Sequence, residues 1–125
     1  MADANDVGVL VVDDEQFFRE VLRSMLQKEG YRVVAEASGG DEAVEMFRKF
    51  APGLVLMDIY MPGKNGIEAT RDIIAFAPEA KILICSGTGY DDDINAAILA
   101  GAKGIIYKPF YDEEVMETIR TLLAA

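Results

Sequence analysis

Two short apolar runs that stop dead at carboxylates restrict this chain to few folds. Leu54, Val55, Leu56 and Met57 lead into Asp58, and Ile59-Tyr60-Met61-Pro62-Gly63 turns away at once. A continuous apolar run bounded by turn residues reads as a fully buried strand of a parallel sheet. An acid at its carboxyl end lies where open α/β sheets place their ligands. Alone, Asp58 reads better as a turn cap. A second run, Val9-Leu10-Val11-Val12, ends in Asp13-Asp14-Glu15 in the same way. If the two runs are parallel neighbours, three carboxylates converge. Each like-charged pair then costs roughly 4 kcal/mol at about 4 Å and an effective dielectric of about 20. Such a cluster requires a cation or a held proton, and hard oxygen donors with room for water point to Mg²⁺ or a similar divalent ion such as Mn²⁺.

The remaining chain supplies the layers such strands need. Met1 to Asp6 reads as a flexible leader, and strands are predicted at Val7–Val12, Tyr31–Ala37, Leu54–Asp58, Lys81–Ser86 and Gly104–Tyr107. Helical spacing runs between them: Phe17, Phe18, Val21, Leu22, Met25 and Leu26, closed by Gly30; then Ala43, Val44, Phe47 and Phe50 behind an Asp41 cap. Gly66 opens a third helix with Ile67, Thr70, Ile73, Ile74 and Ala77 inward, stopped by Pro78. A fourth buries Ile94, Ala97 and Ile98 before Gly101, its first turn enriched in acid at residues 91–93. The last, capped by Asp112, turns Val115, Met116, Ile119, Leu122 and Leu123 inward. Five strand–helix alternations with short connections predict one domain over residues 1–125. It is an α/β fold with a five-stranded, doubly wound parallel sheet and helices on both faces.

Charge narrows the function. The formal net charge is −10, with no histidine, which disfavours direct nucleic-acid binding. No apolar stretch is long enough to span a membrane and no signal-peptide pattern is present. The single cysteine, Cys85, lies in an apolar run and reads as a buried structural thiol. A cytoplasmic setting is expected.

Polar groups end four of the strands: Asp13 and Asp14, Asp58, Ser86, and Lys108 followed by Pro109. In this order, on a fivefold βα chain, they resemble the receiver domain of two-component response regulators, most closely the stand-alone, CheY-like type. The resemblance covers Val9 to Leu123. It implies that Asp58 is the phosphoacceptor, with Asp14 a direct ligand of Mg²⁺, Asp13 acting mainly through water, and Tyr60 offering its backbone carbonyl. Ser86 is then the switch hydroxyl, and Lys108 grips the phosphoryl group beside a cis peptide to Pro109. Pro62 and Gly66 match the turn after the acceptor. Tyr60 and Thr88 flank the path of water to phosphorus and so tune dephosphorylation.

Partners follow from the same resemblance. With no histidine of its own, the chain requires a histidine kinase or histidine phosphotransfer protein in trans. An output protein is expected on the face of the fourth helix, fifth strand and fifth helix. One departure stands out. Receivers carry Tyr or Phe three residues before the strand-end lysine, where this chain has Ile105, with the aromatic at Tyr107 instead. A β-branched Ile has few rotamers and a small swing, so coupling is expected through the Ser86 loop and the fourth helix, with Tyr107, on the same strand face as Ile105, a partial substitute. The alternatives are weaker. A Mg²⁺-dependent phosphatase of the haloacid-dehalogenase class wants a second Asp where Tyr60 stands. A flavodoxin-like binder wants a Ser/Thr/Gly-rich loop where Asp13-Asp14-Glu15-Gln16 stands. A purely structural receiver has little reason to keep all five groups. A receiver cut from a larger regulator with its own output domain stays open.

Overall fold

The computed structural model describes residues 6–87 and 91–125. The expected leader therefore falls outside it except for Asp6, as does Thr88. Five strands, β1 (Gly8–Val12), β2 (Arg32–Ala37), β3 (Leu54–Asp58), β4 (Ile82–Ser86) and β5 (Gly104–Tyr107), alternate with α1 (Gln16–Lys28), α2 (Gly40–Phe50), α3 (Gly66–Phe76), α4 (Asp91–Ala100) and α5 (Asp112–Ala124). The sheet order is β2-β1-β3-β4-β5, and every neighbouring pair is parallel. The chain winds outward from β1 in both directions, so the crevice between β1 and β3 is the topological switch point.

Strand side chains alternate between two cores. Leu10, Val12, Val55, Met57, Ile82 and Ile84 meet Ala43, Phe47, Ile67, Ile73 and Ala97 of α2, α3 and α4. Val9, Val11, Leu54, Leu56, Leu83 and Cys85 meet Leu22, Leu26, Val115, Met116 and Ile119 of α1 and α5. Because both faces are covered, the central strands need apolar residues at every position, which is why they read as unbroken runs.

Helix ends follow local chemistry. After α1, Gly30 takes φ +88°; its amide donates to Gln27 and that of Tyr31 to Leu26, closing a Schellman motif. The Tyr31 amide is thereby occupied, and β2 pairing starts one residue later than expected. β1 and β4 likewise start at Gly8 and Ile82 rather than Val7 and Lys81. The expected Asp caps are corrected. Gly39 and Tyr111 are the extended N-cap residues of α2 and α5, leaving Asp41 and Asp112 inside the first turn. Neither helix start carries a side-chain cap bond; Glu42 accepts from the Ser38 amide, which lies ahead of α2, at 2.7 Å, and the Asp charges act on the helix dipole instead. Three expected core residues face outward: Phe17, Phe50 and Ile98 are exposed. α3 begins as expected, with a reciprocal capping box between Asn65 and Glu68.

Gly66 is required by close approach. A Cβ there would lie 1.8 Å from the backbone oxygen of Asp58, and its own amide donates to the Ile59 carbonyl at 2.8 Å. The start of α3 is thus pressed directly onto the end of β3.

Candidate functional site

The register brings the acids together. Val12 pairs with Met57, so Asp13 and Asp58 leave adjacent strands side by side. Asp13, Asp14 and Asp58 each offer a carboxylate oxygen within 4.8 Å of the others. Asp13 and Asp58 are buried and Asp14 is exposed. β4 ends one residue beyond Asp58's partner Cys85, at Ser86, which pairs with Tyr107 and is buried. From the position just beyond β5, ahead of a cis Lys108–Pro109 bond, the Lys108 ammonium reaches back. It lies 2.9 Å from Asp13 Oδ2 and 3.3 Å from Asp58 Oδ1.

An open cleft of about 550 Å³ lies here, with Asp14, Asp58, Tyr60, Gly87 and Lys108 in its wall. Larger grooves of about 650 and 800 Å³ lie along β5–α5 and at the opposite end of the sheet. Neither borders the acid cluster, so size does not locate the chemistry here. The Tyr60 hydroxyl donates to Asp93 in the first turn of α4, which ties the residue two beyond Asp58 to that helix.

Burial pushes the Asp58 carboxyl up to about 6, and the Asp13 charge adds to the effect against the opposing pull of Lys108. Burial disfavours the Lys108 ammonium, but Asp13 and Asp58 outweigh it and hold its pKa above the ordinary lysine value. A single ammonium shared by two buried carboxylates leaves the site short of positive charge. Asp13 Oδ2, though near Lys108, finds no aligned hydrogen-bond partner among the described residues. Three hard carboxylates gathered against one ammonium, at the edge of an open cleft, fit a divalent cation such as Mg²⁺.

Asp13, Asp14, Asp58 and Lys108 converge as the sequence predicts, with Ser86 ending the adjacent strand and Tyr60 on the rim. The switch candidates differ in burial: Ser86 is buried and pairs with Tyr107, Ile105 packs partly buried against the α2–α4 core, and Tyr107 is half exposed. Two residues were not anticipated. The Phe18 ring lies 4.0 Å beneath the Lys108 ammonium, a cation–π contact that helps aim it. Arg19 donates to the Asp13 carbonyl at 2.7 Å. Phe18 reads in the sequence as a plain core residue and Arg19 as a solvated helix charge, so neither carries a signal of its own.

Residues 9–120 match the response regulator receiver domain family. Chemotaxis protein CheY of Halobacterium salinarum is 44% identical over 117 residues, covering 94% of this chain and 97% of that protein. The transcriptional regulatory protein DegU of Brevibacillus brevis is 34% identical, covering 94% of this chain and 50% of its own length. Among solved structures, a CheX–CheY–BeF3–Mg²⁺ complex from Borrelia burgdorferi superposes with a TM-score of 0.90 at 28% identity, covering 94% of this chain and 89% of that one. With five parallel strands in this order and its acids gathered at their carboxyl ends, the chain belongs to the response regulator receiver domain family, and its fold is CheY-like.

Proposed function

We propose that Asp58 accepts a phosphoryl group from a phosphohistidine on a separate kinase or phosphotransfer protein, and that this change alters the binding of an output partner. The observation that carries the reading is one buried carboxylate held between two other acids and a lysine at the mouth of a cleft. An Asp58 oxygen forms the bond to phosphorus as the bond to the donor nitrogen breaks, and the imidazole departs. The chain's catalysis is confined to gaining and losing this group. Lys108 is placed to meet one phosphoryl oxygen and Ser86, at the next strand end, another. Mg²⁺ or Mn²⁺ would be held by Asp13, Asp14, Asp58 and the Tyr60 backbone carbonyl, and when bound supplies positive charge that offsets the incoming oxygens. No histidine is present to serve as donor, so the donor acts in trans.

An output surface is supported on α4, β5 and α5, where Leu99 is 88% exposed and Tyr107 and Tyr111 are more than half exposed. With Ile105 in place of an aromatic, coupling runs through Ser86 and α4, and Tyr107 serves as a partial substitute on the strand position facing Ser86. No helix among the described residues is long and apolar enough to cross a membrane.

Acetyl phosphate with Mg²⁺ tests the assignment. Intact-mass measurement should show one added phosphoryl group on the unaltered protein and none on Asp58→Asn. Equal labelling of both proteins at equal rates refutes it.

Tyr60 should control how long the group persists. Its ring stands on the rim, held by Asp93, where it screens the approach of water. Tyr60→Asn should shorten the acyl-phosphate lifetime several-fold, roughly 1 kcal/mol in barrier, with Tyr60→Phe intermediate because the ring stays but the tether goes. A decay rate unchanged in both variants removes the screening role.

A further inference from the structure

We infer that Arg19 is a positioning residue for the cation site, acting as a clamp on the peptide that joins its two adjacent acids; this rests on the metal-binding role proposed above. The carbonyl that accepts from Arg19 Nη1 at 2.7 Å belongs to Asp13, and therefore to the peptide plane linking Asp13 to Asp14. That plane is rigid, so fixing its oxygen restricts the backbone rotation on the inner side of both acids. The amide on the other side of Asp13 is fixed as well, donating to Ala37 at the end of β2 at 3.0 Å. Asp13 Oδ1 in turn accepts from the Glu15 amide at 2.9 Å.

Arg19 is itself held. Its Nε donates to Glu36 Oε1 at 3.2 Å, and Arg23 Nη1 holds the other oxygen of Glu36 at 2.7 Å. Glu36 sits on β2 opposite Val11, two residues before Asp13 on β1. The chain of contacts runs from the sheet through one guanidinium to the acidic turn. The planar fork meets the carbonyl through Nη1 and the carboxylate through Nε in one fixed geometry; a lysine ammonium offers the charge without that rigid spacing.

Two physical roles for Arg19 predict opposite signs. As a nearby positive charge it weakens cation binding, and its removal tightens the site. As a clamp it preorganises the ligands, and its removal loosens the site. The clamp is assigned because the guanidinium contacts the backbone oxygen and not a ligating carboxylate. Partners one step behind metal ligands typically change affinity 10–100-fold when lost.

Mg²⁺ titration by calorimetry decides, with urea unfolding run alongside. Arg19→Ala should weaken Mg²⁺ binding about tenfold. Arg19→Lys should remain clearly weaker than the unaltered protein although charge is restored, and Glu36→Gln should show a smaller loss in the same direction. With acetyl phosphate, Arg19→Ala should need more Mg²⁺ for half-maximal labelling and reach a near-normal rate at saturation. Unchanged or tighter Mg²⁺ binding in Arg19→Ala overturns the clamp, whatever happens to stability, and so does full rescue by lysine. If the unaltered protein binds no Mg²⁺, the metal-binding role falls with it; if it binds and the variants bind equally, only the clamp falls.

Discussion

Lys108→Met should destabilise the metal-free domain by about 2 kcal/mol, and Mg²⁺ should restore most of that loss. Among the described residues, Lys108 is the one cation in contact with both buried acids. Removing one partner of a fully enclosed ion pair typically costs about 3–5 kcal/mol; an open cleft admits water and lowers the figure. The remaining carboxylates repel without relief, so a divalent cation is bound more tightly than before and stabilises the native state by linkage. Acid should also relieve the defect. Asp58 already titrates at about 6, above the ordinary carboxylate value of about 3.9, and losing Lys108 raises it further. A carboxyl whose native pKa is raised stabilises the fold while protonated, and that contribution is lost as pH rises from about 4 through its native pKa. The gap between variant and parent should therefore close on acidification. Urea melts in chelator, in Mg²⁺ and across pH 4 to 8 read all of this. A gap that neither Mg²⁺ nor acid narrows contradicts the electrostatic account. Phosphorylation should slow sharply even with saturating Mg²⁺, since the lysine's contact with the phosphoryl oxygen is gone.

Gly66→Ala should cost about 3 kcal/mol, at the upper end for forcing a methyl into a packed site. The atom it meets is the Asp58 carbonyl oxygen at 1.8 Å, with the carbonyl carbon at 2.8 Å. Backbone cannot swing aside as a side chain does, so α3 must back away or the end of β3 must bend. Either movement shifts Asp58, and Mg²⁺ affinity should fall together with stability. Gly63→Ala separates clash from strain. Gly63 sits at φ +75° with open space around it, so alanine there costs only the left-handed penalty of about 1 kcal/mol. Urea denaturation should rank Gly66→Ala well below Gly63→Ala. The reverse order would mean that close approach to the Asp58 carbonyl is not what requires the glycine at 66.

The alternation of buried strands and amphipathic helices was open to reading because each element's period is set locally. The site was readable because in a parallel sheet every carboxyl end lies on one edge, so Asp13, Asp14, Asp58, Ser86 and Lys108 had to face the same crevice. What escaped was phase and tertiary reach. Phe18, Val21, Leu22, Met25 and Leu26 follow the i, i+3, i+4 pattern of one stripe, and Phe17, one step off, is turned to solvent. Phe50 is lost at the last residue of α2, and Ile98 falls off the α4 face that buries Ala97 and Ala100. The Asp41 cap was misplaced because α2 already begins at Gly40 behind an extended Gly39, a start that no capping side chain announces. Arg19 was hidden for a different reason: its target is a backbone oxygen, which no residue letter announces.

Cys85 gives the molecule an internal clock. It sits beside Asp58 in the register, completely enclosed, and burial, reinforced by the Asp58 charge, pushes its thiol well above the ordinary range. The thiolate is the form that alkylating agents and oxidants attack, so in the closed sheet this sulfur is silent. Any labelling it undergoes counts the moments when the centre of the sheet parts. With no second cysteine to complicate the signal, one slow chemical reaction reports how often the floor of the acid site opens, with no engineered probe.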